Sequence, residues 1–179
     1  VIVINANDIE KNKVRGDLGI TYDLDVLRLI DAFRSFGLYV GSVVLTRWQE
    51  QPAAEKFRRR LESLGVRVYK HYTIPGYPSD LSRIVSEEGF GKNDYIETER
   101  SLVVVTAPGP GSGKMATCLS QLYHDHKRGI RRQHARGCAH RCAAQRREPV
   151  AEGQRKKQQD KRHADPAERE RGIGAGKVA

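Results

Sequence analysis

The sequence predicts an α/β protein, a three-layer sandwich built on a mostly parallel, Rossmann-like or P-loop-like sheet, followed by a disordered C-terminal tail. Three observations predict it. Val1–Ile4 and Val103–Val105 are short uninterrupted apolar runs, the pattern of strands buried on both faces. Between them lie segments whose apolar residues recur every three to four positions, the period of a helix. The last apolar run passes through the glycine-rich stretch Ala107-Pro108-Gly109-Pro110-Gly111-Ser112-Gly113-Lys114 into another helical segment, a strand, loop and helix in series.

In chain order, Val1–Ile4 is strand one, and it ends in the polar loop Asn5-Ala6-Asn7-Asp8. A charged connection leads to helix one, with Asp23 as its N-cap, Val26, Ile30, Phe33 and Phe36 on one apolar face, and Gly37 as its stop. Leu38–Thr46 reads as strand two. Pro52 suits a first helical position, so it opens helix two, whose Ala54, Phe57, Leu61 and Leu64 face inward until Gly65 ends it. Strand three starts at Val66 and runs to Tyr69 or slightly beyond. Turn residues Ile74–Pro78, a short apolar piece Leu81–Val85 and a second glycine-containing polar loop, 88–94, come next. Leu102–Thr106 is strand four, and Lys114 opens the last helix, which closes on Lys127, Arg128 and Gly129.

Composition divides the chain at this point. Of the 32 Lys+Arg and 22 Asp+Glu, residues 127–179 hold 16 and 6, so the whole formal charge of +10 lies there. That stretch has no Leu, Met, Phe, Trp or Tyr, and it cannot bury enough apolar surface to offset its ordering entropy. The expected organisation is an α/β domain over 1–129 and a basic tail over 130–179. Such a tail attracts nucleic acid through phosphate charge alone, without interleaved aromatics for base stacking, so nucleic acid is disfavoured as a partner. Three cysteines make no disulfide framework, and no run of about 18 apolar residues or signal peptide is present, which points to a cytoplasmic protein without a membrane partner. The sheet starts at the first residue and without methionine, so the chain reads as a fragment. Its exposed edge leaves a homo-oligomer open.

The glycine loop carries the chemistry. Backbone N–H groups and the positive end of a helix dipole converge after such a turn, and a phosphate fits there. The residues expected to bind it are Gly109, Gly111, Ser112, Gly113, Lys114 and Thr117. Gly113-Lys114 match the P-loop pattern, but Pro108 stands at its first glycine and Met115 at its magnesium-binding hydroxyl, so magnesium is disfavoured and binding is favoured over hydrolysis. The dinucleotide pattern fails as well, because Lys114 holds its third glycine position. A small phosphorylated ligand, with a nucleotide among the candidates, is the expected partner. The alternative is a structural or interaction module in which the loop is only a turn. Ligands of parallel sheets sit beyond the carboxyl ends of the strands; that edge gathers Asn5, Asn7, Asp8, Thr46, Arg47, His71 and Tyr72, of which Asn5, Asn7, Asp8, Arg47 and His71 are the candidates. Asp8, Glu10, Glu87, Glu88 and Asp94 are the nearby carboxylates. No catalytic residue can be named, and no metal is expected: His134, Cys138, His140 and Cys142 lack paired ligand spacing, and His124 and His126 cannot share a helix face.

The segments Ile4–Asp23, Leu38–Thr46 and Thr106–Thr117 closely resemble an uncharacterised bacterial family, domain of unknown function 1846, also called uncharacterised protein family 0371. The resemblance covers residues 1 to about 130 and implies a fold and a cytoplasmic setting within a longer, multi-domain protein. Some relatives carry an ATP-dependent peptidase label. The chain has no His-Glu-x-x-His helix and no Gly-x-Ser-x-Gly elbow, since Pro110 stands two before Ser112. The abrupt end of the resemblance after Ile130 suggests that the tail is an out-of-frame translation or a misassembled end.

Overall fold

A computed structural model describes residues 1–130. The expectations placed on the basic tail, its disorder and its histidines and cysteines lie outside the described residues. Strand β1 (Ile2–Asn5) is followed by helices α1 (Ala6–Glu10) and α2 (Tyr22–Ser35), strand β2 (Ser42–Trp48), helix α3 (Pro52–Ser63), strand β3 (Arg67–Tyr72), the short helix α4 (Leu81–Ile84), a 3-10 turn at Phe90–Lys92 and helix α5 (Lys114–Lys127). The sheet is parallel in the order β1-β2-β3, with Ile4 opposite Leu45 and Val43 opposite Val68.

Alternation along the strands divides the core into two layers. Ile2, Ile4, Val43 and Leu45 point to one face, where α1, α2 and α3 cover them with Ile9, Val26, Ile30, Ala54, Phe57 and Leu61. Val3 and Val44 point to the other, against Ile96, Val105 and Ala107. Helix α5 lies on this second face and docks through polar contacts: Asn93 donates to Ser120 Oγ (3.0 Å), Gln121 exchanges hydrogen bonds with the Ile96 backbone, and Tyr95 donates to Asp125 (3.1 Å). The apolar periodicity of Met115–Tyr123 therefore marks a real helix but not its buried stripe, since its buried residues are Thr117, Ser120 and Asp125.

Several expected elements change. The polar loop after β1 is helix α1, because the Asn5 side chain accepts from the Asn7 N–H and caps it. Helix α2 starts one residue before the expected cap, with Thr21 at the N-cap position. Strand two begins at Ser42 rather than Leu38, and Leu38 and Tyr39 lie exposed in the link from α2. Phe36 and Leu64 are exposed although their spacing continues an apolar face, because each sits at the C-cap, where the chain turns away into Gly37 or Gly65 with φ of 71°. Strand four is reduced to an isolated parallel bridge between Thr106 and Ile2. The Val3 N–H donates to the Thr106 carbonyl (2.8 Å) and the Thr106 N–H to the Val1 carbonyl (3.0 Å). Residues 104–106 thus flank β1 on the side away from β2, so the spatial order reads β3-β2-β1 and then this segment.

Candidate functional site

That order creates a switch point. Chain progression runs from β1 outward to β3, then returns to the opposite side of β1, so the connections leaving the carboxyl ends of β1 and of residues 104–106 diverge. Ligands of open α/β sheets bind in the crevice that such a divergence opens. The residues at that point here are the β1–α1 junction at Asn5, the end of β2 at Thr46 and Arg47, and the glycine loop.

The loop is held down from below. Thr46 Oγ1 donates to the Ser112 carbonyl (2.7 Å), and both residues are buried. Gly113 is the N-cap of α5 with φ of 93°, and a Cβ there would lie 2.9 Å from Thr46 Cγ2, so the loop crosses β2 where only glycine fits. Gly109 packs as tightly on the Tyr22 ring, since a Cβ on it would stand 2.5 Å from the phenolic oxygen. The Gly109 carbonyl in turn accepts from Ser112 Oγ (2.7 Å) and from Lys114 Nζ (3.1 Å), which closes the loop on itself. Gly111 has φ of 72° and open space around its missing side chain.

At the mouth of this loop no side chain caps α5. The first helical bond is the Thr117 N–H to the Gly113 carbonyl (2.9 Å), which leaves the N–H groups of Lys114, Met115 and Ala116 as the unpaired donors every helix start presents. Lys114 keeps two of its three ammonium protons after bonding to Gly109. Lys13 adds a second cation: its ammonium lies 5.1 Å from the centre of the Tyr22 ring and 3.4 Å from Asp8 Oδ1. Arg47 adds a third. It is exposed in the left-handed region, φ 52°, where the register of β2 against β3 slips between Leu45 and Trp48. Non-glycine residues avoid that region, at a cost of about 1 kcal/mol or more.

The other candidates are brought only partly together. Gly109, Gly111, Ser112, Gly113 and Lys114 form one loop around the crevice. Thr117 lies a turn into α5, buried, and lines a small cleft with Val1, Ile96 and Val105, where its hydroxyl has no hydrogen-bond partner among the described residues. Asn5 serves as the α1 cap, and Asn7 Oδ1 accepts from Gln51 Nε2 (2.8 Å), which ties α1 to the turn after β2. His71 is buried under the 93–94 segment, its Nε2 3.1 Å from the Asp94 carbonyl, and burial pushes its pKa down to about 4. It is a neutral packing histidine. Glu10 accepts from the Ala53 N–H at the start of α3, Asp94 accepts from the Lys70 N–H, and Glu87 pairs with Tyr123 and Lys127. His124, in the last turn of α5, packs edge-on against Tyr95 and Tyr123. Tyr22 and Lys13 were not among the expected site residues. Their only sequence signal is a position in the charged link after β1, which comes into the crevice because the Tyr22 N–H donates to the Lys13 carbonyl (2.9 Å).

Among the described residues no group of three or more His, Cys, Asp or Glu could hold a metal ion, and no helix is long and apolar enough to cross a membrane. The family described as "Domain of unknown function DUF1846, N-terminal" matches residues 1–138. Over 136 residues the chain is 62% identical to a UPF0371 protein of Streptococcus sanguinis and 60% identical to UPF0371 proteins of Streptococcus pyogenes serotype M5 and Streptococcus thermophilus. The match covers 76% of this chain and 28% of each of those relatives, so the chain spans under a third of their length.

Proposed function

The chain belongs to the DUF1846 family, and from that premise we propose that its loop 109–114 binds a small phosphorylated ligand, a nucleotide being one member of that class. The observation that carries this reading is the location of the uncapped start of α5 at the switch point, beside Lys114 and against the Tyr22 ring that Lys13 covers. Unpaired N–H groups and a helix dipole favour an anion, and the lysines supply charge-assisted hydrogen bonds. Met115 in the place of a hydroxyl argues for an anion bound without magnesium. A cytoplasmic setting belongs to the same proposal, supported by the free thiol of Cys118.

One observation favours a second reading, a non-catalytic module whose loop is only a turn: Ser112 Oγ and Lys114 Nζ both bond to the Gly109 carbonyl, so the loop is satisfied internally. Thermal shift of the full chain against inorganic phosphate, ribose 5-phosphate, AMP and ATP separates the two. A phosphate binder melts higher with at least one of them, by mass action, and Lys114→Ala removes most of that shift, measured from the variant's own apo melting point. A flat response across all four supports the turn.

A further inference from the structure

The segment 102–106 has one bonded edge and one bare edge. Residues 104 and 106 turn their backbone groups toward β1, through the Val1 amino group to the Val104 carbonyl and the two Thr106 bonds. Val103 and Val105 alternate with them and turn theirs the other way, where no hydrogen bond is made among the described residues. Beside this edge, on the face covered by α2, Leu102 is 81% exposed and Val104 67%. They line an apolar cleft with Ile2, Phe33, Leu38 and Tyr39. A parallel sheet edge with apolar side chains in water is a liability that proteins cover.

We propose that this edge accepts a further parallel strand, and that the occupant is the polypeptide following α5 in the longer members of the family. The handedness of the crossovers selects it. From β1 to β2 and from β2 to β3 the connecting helices lie on the first face and the sheet grows in one direction. Helix α5 lies on the second face, so a right-handed crossover from residues 104–106 grows the sheet in the opposite direction, onto the bare edge. Running back from the carboxyl edge, α5 also delivers the chain to the end of the sheet where a parallel strand must start. The relatives carry ample sequence for this, since the match covers 28% of them. This chain ceases to match at residue 138, and its sequence after Ile130 holds no run of four apolar residues to serve as such a strand.

Amide exchange on this chain and on the intact Streptococcus sanguinis relative tests the proposal. In this chain the Val103 and Val105 amides exchange freely while those of Val3 and Thr106 are protected. In the intact relative, the amides aligned with 103 and 105 are expected to exchange roughly a hundredfold more slowly. Lysine in place of Val104, exposed here, leaves the melting point of this chain unchanged, and the same replacement at the aligned position lowers that of the relative by several degrees. Fast exchange at both positions of the relative, or protection of Val103 and Val105 in this chain by self-association or by its own tail, overturns the proposal. So does a relative that tolerates the lysine.

Discussion

Thr46→Val removes one hydroxyl from the centre of the site, and the structure sets the size of the effect. Thr46 Oγ1 is the side-chain donor that joins the end of β2 to the glycine loop, 2.7 Å from a Ser112 carbonyl that is itself buried. Valine keeps the volume but places a methyl where that proton was, leaving the carbonyl without a partner. Losing the bond and stranding a buried acceptor costs about 2 to 3 kcal/mol. Thr46→Ser makes the opposite cut: it keeps the hydrogen bond and deletes the methyl group, at about 1 kcal/mol. Urea unfolding of both variants and the parent, compared at constant slope, measures the difference. The valine variant is expected to be the weaker by about 1 kcal/mol or more. If valine matches the parent and serine is the worse of the two, apolar packing and not the hydroxyl secures the loop, and the account of how the crevice is held fails.

Gly113→Ala should cost about 2 kcal/mol, from its φ of 93° and from contact with Thr46 Cγ2, and combining it with Thr46→Ser should recover part of that loss; strictly additive unfolding energies would remove the contact from the explanation. His71 has a folded pKa of about 4 against an ordinary 6.5, so the unfolded chain binds more protons between those values. Stability is full above pH 6.5 and falls by about 3 kcal/mol as pH drops to 4; His71→Gln should flatten that part of the pH profile, and an unchanged slope would mean the imidazole is not buried neutral. Arg47→Gly relieves a left-handed backbone and should stabilise the fold by about 1 kcal/mol, seen as a higher urea midpoint, while weakening phosphate binding; a loss of stability would show that Arg47 packs rather than waits for a ligand.

The elements legible in the sequence were those whose period and punctuation agree. Val26 and Ile30 with Gly37, or Pro52 with Ala54, Phe57, Leu61 and Gly65, mark their helices without tertiary information. What failed was extrapolation of a stripe past its cap, at Phe36 and Leu64, since periodicity carries no record of where the backbone turns away. The buried face of α5 was illegible for a different reason. Thr117, Ser120 and Asp125 look like a solvent face until Asn93, Tyr95 and Ile96 arrive from a segment without regular structure. The site divides in the same way. Its glycine loop is contiguous, so residues 109–114 could be named in advance. Thr46 belongs to the strand-end edge that the sequence already marks, whereas Tyr22 and Lys13 reach it only through the strand order, which no local pattern encodes. His71 sits at the strand end where a ligand residue belongs, yet the 93–94 segment covers it.

The central claim is that the start of α5 holds a phosphate. Amide NMR of the full chain titrated with inorganic phosphate addresses it directly, because the backbone N–H groups of Lys114, Met115 and Ala116 would be the donors. The account predicts saturable downfield shifts of these amides and of Gly111 and Gly113, with the largest at the helix start, and loss of saturation in Lys114→Ala. Shifts that grow linearly with phosphate and are spread over the surface lysines and arginines, with the loop amides unmoved, would contradict it.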